Sequence, residues 1–118
     1  MEVRIIMATP LDIPVRQIIE LLVTGEYEKV ARNTNGQRLD SRAIEGAIHN
    51  YGRTLAMPPN TAFEQLDIVQ VTNADPTRWS IRMSLWTVEE GRSDLSIELT
   101  LIEVKEGYVI ELDDIHVL

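Results

Sequence analysis

His49 and His116 are the only histidines in the chain, and there is no cysteine. A metal site needs several ligands converging on one point. Asp114 and His116 stand two residues apart, which on a strand puts both on one side, but two groups fall short of a ligand set. No metal and no cofactor are expected. Proton transfer is the sharper chemistry. A carboxyl group buried in an apolar pocket is pushed toward its neutral form and can then serve as a general acid or base. Asp114 and Glu103 are the carboxylates for such a site. Tyr27 and Tyr51 are the phenols that would polarise a carbonyl. Nothing in their spacing brings the four together. Core tyrosines and solvated acids account for the same residues, so the chain reads as a binding protein before an enzyme.

Recognition is the rival chemistry. Trp79 and Trp86 are an odd number of residues apart, so on one regular strand they face opposite sides. Trp86 shares its side with Ser80, Arg82 and Ser84, and a tryptophan among polar groups is the kind of anchor that interfaces use. Glu89, Glu90 and Arg92 follow as a charged rim. Glu111 and Asp113 extend the acidic surface onto the last strand. Packing of Trp86 under a loop would account for it equally well.

The net charge is −8, and it is unevenly placed. Residues 1–60 balance seven acids against seven bases, whereas residues 61–118 hold 12 acids and four bases. Phosphate binding needs clustered Lys and Arg, so no nucleic acid is expected. A basic protein partner is attracted by such a surface.

These residues must be positioned by a sheet. Ile81, Met83 and Leu85 alternate with Ser80, Arg82 and Ser84. Leu95, Ile97, Leu99 and Leu101 alternate with Asp94, Ser96, Glu98 and Thr100. Tyr108, Ile110 and Leu112 alternate with Val109, Glu111 and Asp113. Period two predicts three strands over Arg78–Val88, Asp94–Val104 and Tyr108–Leu118. Short glycine-bearing links at Gly91 and Gly107 make neighbours antiparallel. The alternation slips at Leu101-Ile102 and at Asp113-Asp114, as a β-bulge would produce, or equally as partial burial of both faces would, by a helix on one side and a second subunit on the other. A first long strand is predicted over Thr61–Thr72, its register undecided.

Upstream the period changes to that of helices. Asp12, as its capping residue, and Pro14 open one, with Val15, Ile18, Ile19 and Leu22 as its apolar stripe and Gly25 beyond its end. Tyr27 and Val30 are the inward pair of a second, short one. Asp40 caps a third, Leu39 and Ile44 have the spacing of a hydrophobic staple, and Ile44, Ala47, Ile48 and Tyr51 form the stripe. Pro58-Pro59 marks the passage to the sheet. The expected organisation is one domain over 1–118. Residues 1–10 read as a short strand or an extension, 11–57 as the helical part, and 61–118 as a β-meander.

A hydrophobic fraction of 44% is enough for a packed core. No run of about 18 apolar residues exists, so no membrane span is expected. Glu2 and Arg4 interrupt the N-terminus, against a signal peptide, and a cysteine-free chain suits the cytoplasm.

Gly25-Glu26-Tyr27-Glu28-Lys29-Val30, in a chain that runs from helices into a meander, resembles the NTF2-like, cystatin-like superfamily. The segments GQRLDSRAIEGAIHNYGRTL, MSLWTVEEGRSDLSIELTL and YVIELDDIHVL resemble an uncharacterised bacterial domain family over about Leu11 to Leu118. The resemblance implies an α+β fold with helices packed on a curved antiparallel sheet. It carries over no functional residue, because the superfamily hosts isomerases, hydratases, binding domains and immunity proteins. The expected function is a protein-binding or accessory domain, of immunity type in one form. A small-molecule enzyme with a pocket between helices and sheet, and a self-associating structural domain, are the alternatives. A homodimer through the sheet is expected, with Arg82 and Arg92 of one copy facing Glu98, Glu111 and Asp113 of the other.

Overall fold

Three amphipathic segments precede the sheet, and each forms a helix because its apolar residues recur on one side. The computed structural model describes residues 10–34 and 38–118. Met1 to Met7, and Asn35-Gly36 of the turn that the run Asn33-Thr34-Asn35-Gly36 predicts, lie outside the described residues. Helix α1 is Asp12–Val23, α2 is Tyr27–Asn33 and α3 is Ser41–Tyr51. Val15, Ile18, Ile19 and Leu22 of α1, Val30 of α2, and Ile44 and Ile48 of α3 are all buried. Tyr27, Ala47 and Tyr51 pack against them while partly exposed.

The helix ends follow local chemistry, with one correction. Asp12 does not cap α1. The residue at that boundary is Leu11, which makes no side-chain capping bond, and Asp12 lies in the first turn. There its carboxylate takes the guanidinium of Arg16 one turn on, at 2.9 Å. An acid favours that end of the helix dipole and an i, i+4 pair, so a competing bond displaces the cap. At the far end the Glu26 N–H donates to the Leu21 carbonyl and the Gly25 N–H to the Leu22 carbonyl. Gly25 has φ +78°, which glycine takes without a Cβ clash. Asp40 does cap α3, accepting from the Ala43 N–H at 2.8 Å.

The segment after α3 differs from its expectation. In place of a long strand over Thr61–Thr72 come strand β1 (Leu55–Ala56), short helix α4 (Asn60–Glu64) and strand β2 (Asp67–Gln70). Pro59 precedes α4, and Phe63 buries its ring beneath the Arg16 guanidinium, 4.3 Å from the ring centroid. All four residues of β2 are exposed, so no burial enforces an alternation there.

Strands β3 (Arg78–Thr87), β4 (Gly91–Val104) and β5 (Gly107–Val117) form the predicted meander. Among the described residues the sheet has five antiparallel strands in the order β1-β3-β4-β5, and β2 also pairs with β3. Both short strands therefore lie along the same edge of β3. Helices α1, α2 and α3 pack on one face. Ile81, Met83, Leu85, Leu95, Ile97, Leu99, Leu101, Leu112 and Ile115 meet the helix stripes in one core.

Of the two expected bulges, that on β5 is present: Asp113 is the extra residue between the pairs Glu98–Asp114 and Leu99–Leu112. The one at Leu101-Ile102 is absent, and pairing runs unbroken through both residues. Ile102 is apolar for another reason, since it lies half-buried beside Val109 on the face away from the helices. The irregularity of β4 falls instead at Ser93–Leu95. Between the pairs Ser84–Ser96 and Trp86–Arg92, β3 has Leu85 alone while β4 has Ser93, Asp94 and Leu95. The Ser93 hydroxyl repairs the ladder, donating to the Leu85 carbonyl at 2.7 Å and accepting from the Leu95 N–H at 3.2 Å.

Candidate functional site

The face of the sheet opposite the helices displays the even-numbered residues of β3. Cross-strand pairing arranges its side chains in rows. One is Val69–Ser80–Thr100–Glu111 and the next Asp67–Arg82–Glu98–Asp114. Then come Ser84–Ser96–His116 and Ala56–Trp86–Arg92. This face is charged and connected. Glu98 receives His116 Nε2 at 2.8 Å and lies 3.8 Å from Arg82 Nε. His116 Nδ1 is 4.0 Å from Asp114.

The rows also bound a groove of about 540 Å³. Its floor includes Arg82, Ser84, Trp86 and Arg92, and Ser96 is buried beneath it. The α4–β2 segment from Thr61 to Asp67 makes the wall. The groove exists because the chain leaves the edge of β3 after Ala56, detours through α4, and rejoins it at Asp67. Trp86 lies flat enough over Gly91 that a Cβ there would sit 3.7 Å from the indole. Gly91 has φ +73°, so the turn needs a residue free to enter the left-handed region. The Arg92 Nε reaches back along β3 to the Ser84 hydroxyl at 3.4 Å.

The four acid–base candidates are dispersed. Asp114 is exposed on the outer face, bonded to the Ile115 N–H at 2.9 Å. Glu103 accepts from the Trp79 indole at 2.8 Å at the far end of β4. Tyr51 donates to Glu90 at 2.9 Å beside the β3–β4 turn. Tyr27 meets His49 edge-to-face, ring centroids 6.3 Å apart. Burial, with the nearby Glu45 carboxylate second, holds the Tyr27 phenol above its ordinary value, so it remains a neutral donor. A general acid–base constellation is not assembled from these residues. Among the described residues no cluster of three or more His, Asp or Glu side chains is suited to a metal ion. No described helix is long and apolar enough to cross a membrane.

The six binding candidates divide. Trp86 and Arg92 share the groove. Glu89 and Glu90 are engaged in holding the fold. Glu89 accepts from the Thr54 N–H and hydroxyl, both at 2.9 Å. Glu90 accepts from Tyr51 and from the Thr87 hydroxyl at 3.1 Å. Asp113 accepts from the Thr100 hydroxyl at 2.6 Å and lies 3.4 Å from the Arg38 guanidinium. Glu111 is half-buried in the Thr100 row. Arg82 and Ser84, four and two residues before Trp86, share its side in the sequence, whereas Ser96 joins them only through its pairing with Ser84. The α4 wall left no such signal.

A family model described as Domain of unknown function (DUF7668) matches residues 19–118. The chain belongs to this family. The DUF7668 match takes in α1 from Ile19 onward, all of α2, α3 and α4 and the whole sheet, and with them every residue of the groove. No curated protein and no solved structure matches the chain.

Proposed function

We propose that this chain is a protein-binding accessory domain that docks through the face of its sheet opposite α1, α2 and α3. The observation that carries the reading is where the open space lies. The interior between helices and sheet is filled by aliphatic side chains from both layers, nine of them on the sheet side, whereas the groove opens on the other face at Trp86. An enzyme of the pocket type needs the reverse arrangement, with convergent acid and phenol inside.

Trp86 is the anchor in this reading. Its indole is half-buried and borders a space that a partner side chain fills. The β4–β5 side of the face carries Glu98, Glu111 and Asp114, and a basic partner is drawn to that strip. A cytoplasmic setting accords with a cysteine-free chain.

Self-association is the second reading, favoured by Val69, Ile102 and Val109 on the same face, of which Val69 is 58% exposed. Two experiments separate the readings. Sedimentation velocity at micromolar concentration shows a dimer if the second reading holds, weakened by salt where Arg82 and Arg92 carry it and persisting where the apolar side chains do, and a monomer in low and high salt alike if the face is kept for another protein. Affinity capture from the native host, followed by reconstitution of the captured protein in pure form, tests the first. Trp86→Ala should weaken the reconstituted complex by about 30-fold or more, the size of an anchor residue. Equal affinity of the variant and the parent would refute docking through Trp86.

A further inference from the structure

The edge of β3 has a vacancy at Ser84, and its chemistry is specific. Main-chain groups along an antiparallel strand point alternately to its two sides. The Arg78 carbonyl accepts from the Val71 N–H beyond β2, and the Val88 N–H donates to the Thr54 carbonyl beside β1. Even-numbered residues of β3 therefore direct their main-chain groups toward the β1 and β2 edge. The odd ones turn to β4, where the Met83 and Leu85 carbonyls accept from the Ser96 and Ser93 hydroxyls. Arg82 is paired with Asp67 and Trp86 with Ala56. Among the described residues Ser84, between them, has no strand opposite its N–H and C=O on that side, and it lines the groove.

Two guanidinium groups flank this unpaired amide. Arg82 projects from the same face one row away, a separation of about 7 Å along the strand. The Arg92 Nε is already 3.4 Å from the Ser84 hydroxyl. Neither is held by a tight ion pair: Arg82 has only Glu98 at 3.8 Å, and Arg92 makes no ion pair among the described residues. Two loosely engaged arginines and a main-chain N–H with no strand opposite it put hydrogen-bond donors together at one point of the groove. Guanidinium groups match carboxylate geometry with paired N–H donors, and a main-chain N–H adds a third contact. Asp67 and Leu118 also line the groove.

The vacancy also selects the form of the ligand. It is bracketed on both sides by the chain's own strands, so a foreign strand cannot run through it. A chain end can enter it. We infer that the groove captures the C-terminal carboxylate of a protein partner, with Arg82, Arg92 and the Ser84 N–H on the carboxylate and Trp86 against an apolar terminal side chain. This rests on the docking reading above and specifies what enters the groove; a partner with a basic surface and a free C-terminus satisfies both.

The test is a titration of the full ¹⁵N-labelled chain with N-acetyl-Gly-Gly-Phe as the free acid. Saturable shifts of the Ser84 amide and the Trp86 indole N–H are expected. The C-terminal amide of the same peptide should bind about tenfold or more weakly, and so should the acid to Arg82→Gln or Arg92→Gln. Both arginines are exposed, so the variants should fold, and unchanged spectra away from the groove verify this. Equal binding of acid and amide, or no shift at millimolar peptide, overturns the inference. Phenylacetate binding as tightly as the peptide overturns the chain-end assignment. Full capture of the protein partner by the Arg82→Gln/Arg92→Gln variant, with capture lost in Trp86→Ala, would leave the docking face standing and remove the carboxylate.

Discussion

Glu89 and Glu90 stand side by side at the β3–β4 turn, and each ties that turn to a different element. Glu90 holds the Tyr51 hydroxyl at the end of α3, and the same oxygen accepts from the Asp94 N–H at 3.3 Å. Tyr51→Phe removes one hydroxyl from this bridge, and a loss of about 1 kcal/mol is expected in urea unfolding with an unchanged slope. Glu89 is held below the ordinary glutamate range, first by the Thr54 N–H, then by its own N–H, the Thr54 hydroxyl and the Arg53 charge. A carboxyl whose folded value is depressed contributes stability that is present above its unfolded value and lost as pH falls through the folded one. Acidification below the ordinary glutamate range should therefore cost the parent more stability than Glu89→Gln. Parallel stability curves for the two proteins would show that these hydrogen bonds carry no such linkage. Read as sequence, Glu89-Glu90 looks like a solvated rim; their role depends on Thr54 and Tyr51, 35 and 39 residues upstream, which no local pattern connects to them.

At the scale of elements, what the sequence disclosed followed burial. β3, β4 and β5 were legible because one face of each is buried, and a buried face imposes strict alternation. α1 and α3 were legible for the same reason at the helical period. β2 was not, since Asp67, Ile68, Val69 and Gln70 are all exposed and nothing selects between them. The bulge on β5 was readable because two acids in succession break a clean alternation. The irregularity on β4 was hidden, because Ser93 keeps the phase of Leu95 and its side chain does the work of a missing main-chain bond. That makes Ser93 testable. Ser93→Ala leaves the Leu85 carbonyl and the Leu95 N–H without this buried partner, and a loss of about 1–3 kcal/mol is expected by chemical denaturation. Ser93→Thr, which keeps the hydroxyl, should recover part of it.

For the molecule as a whole, stability and recognition lie on opposite faces of one sheet. The core side chains are closed to solvent, with Leu99 and Ile44 both at 0% exposure. Leu99→Ala should cost about 2–5 kcal/mol, because the deleted methyl groups leave a cavity. Arg92→Gln, exposed on the other face, should change stability by no more than about 0.5 kcal/mol. Thermal unfolding of the two variants against the parent checks the separation. A large loss in Arg92→Gln would mean that the groove also holds the fold together. The groove itself was only half legible: Trp86 and Arg92 could be read from a hairpin, but its wall depends on how residues 57–66 leave and rejoin the sheet.

The single extra residue in β5 bears on how the protein behaves when crowded. Among the described residues β5 is an edge of the sheet, 11 residues long, and an edge of that length is a template on which further chains can stack into fibrils. Asp113 divides it into a stretch from Gly107 to Leu112 and a shorter one from Asp114 to Val117, with an acid at the break. Deleting Asp113 would straighten the edge while leaving every other side chain on its present face, since Leu112 would still oppose Leu99 and Asp114 would still oppose Glu98. The deletion variant should thus keep its core yet form thioflavin-positive aggregates at concentrations where the parent stays clear. One aspartate, unremarkable in composition, would then set the upper limit on how much of this protein a cell can hold in solution.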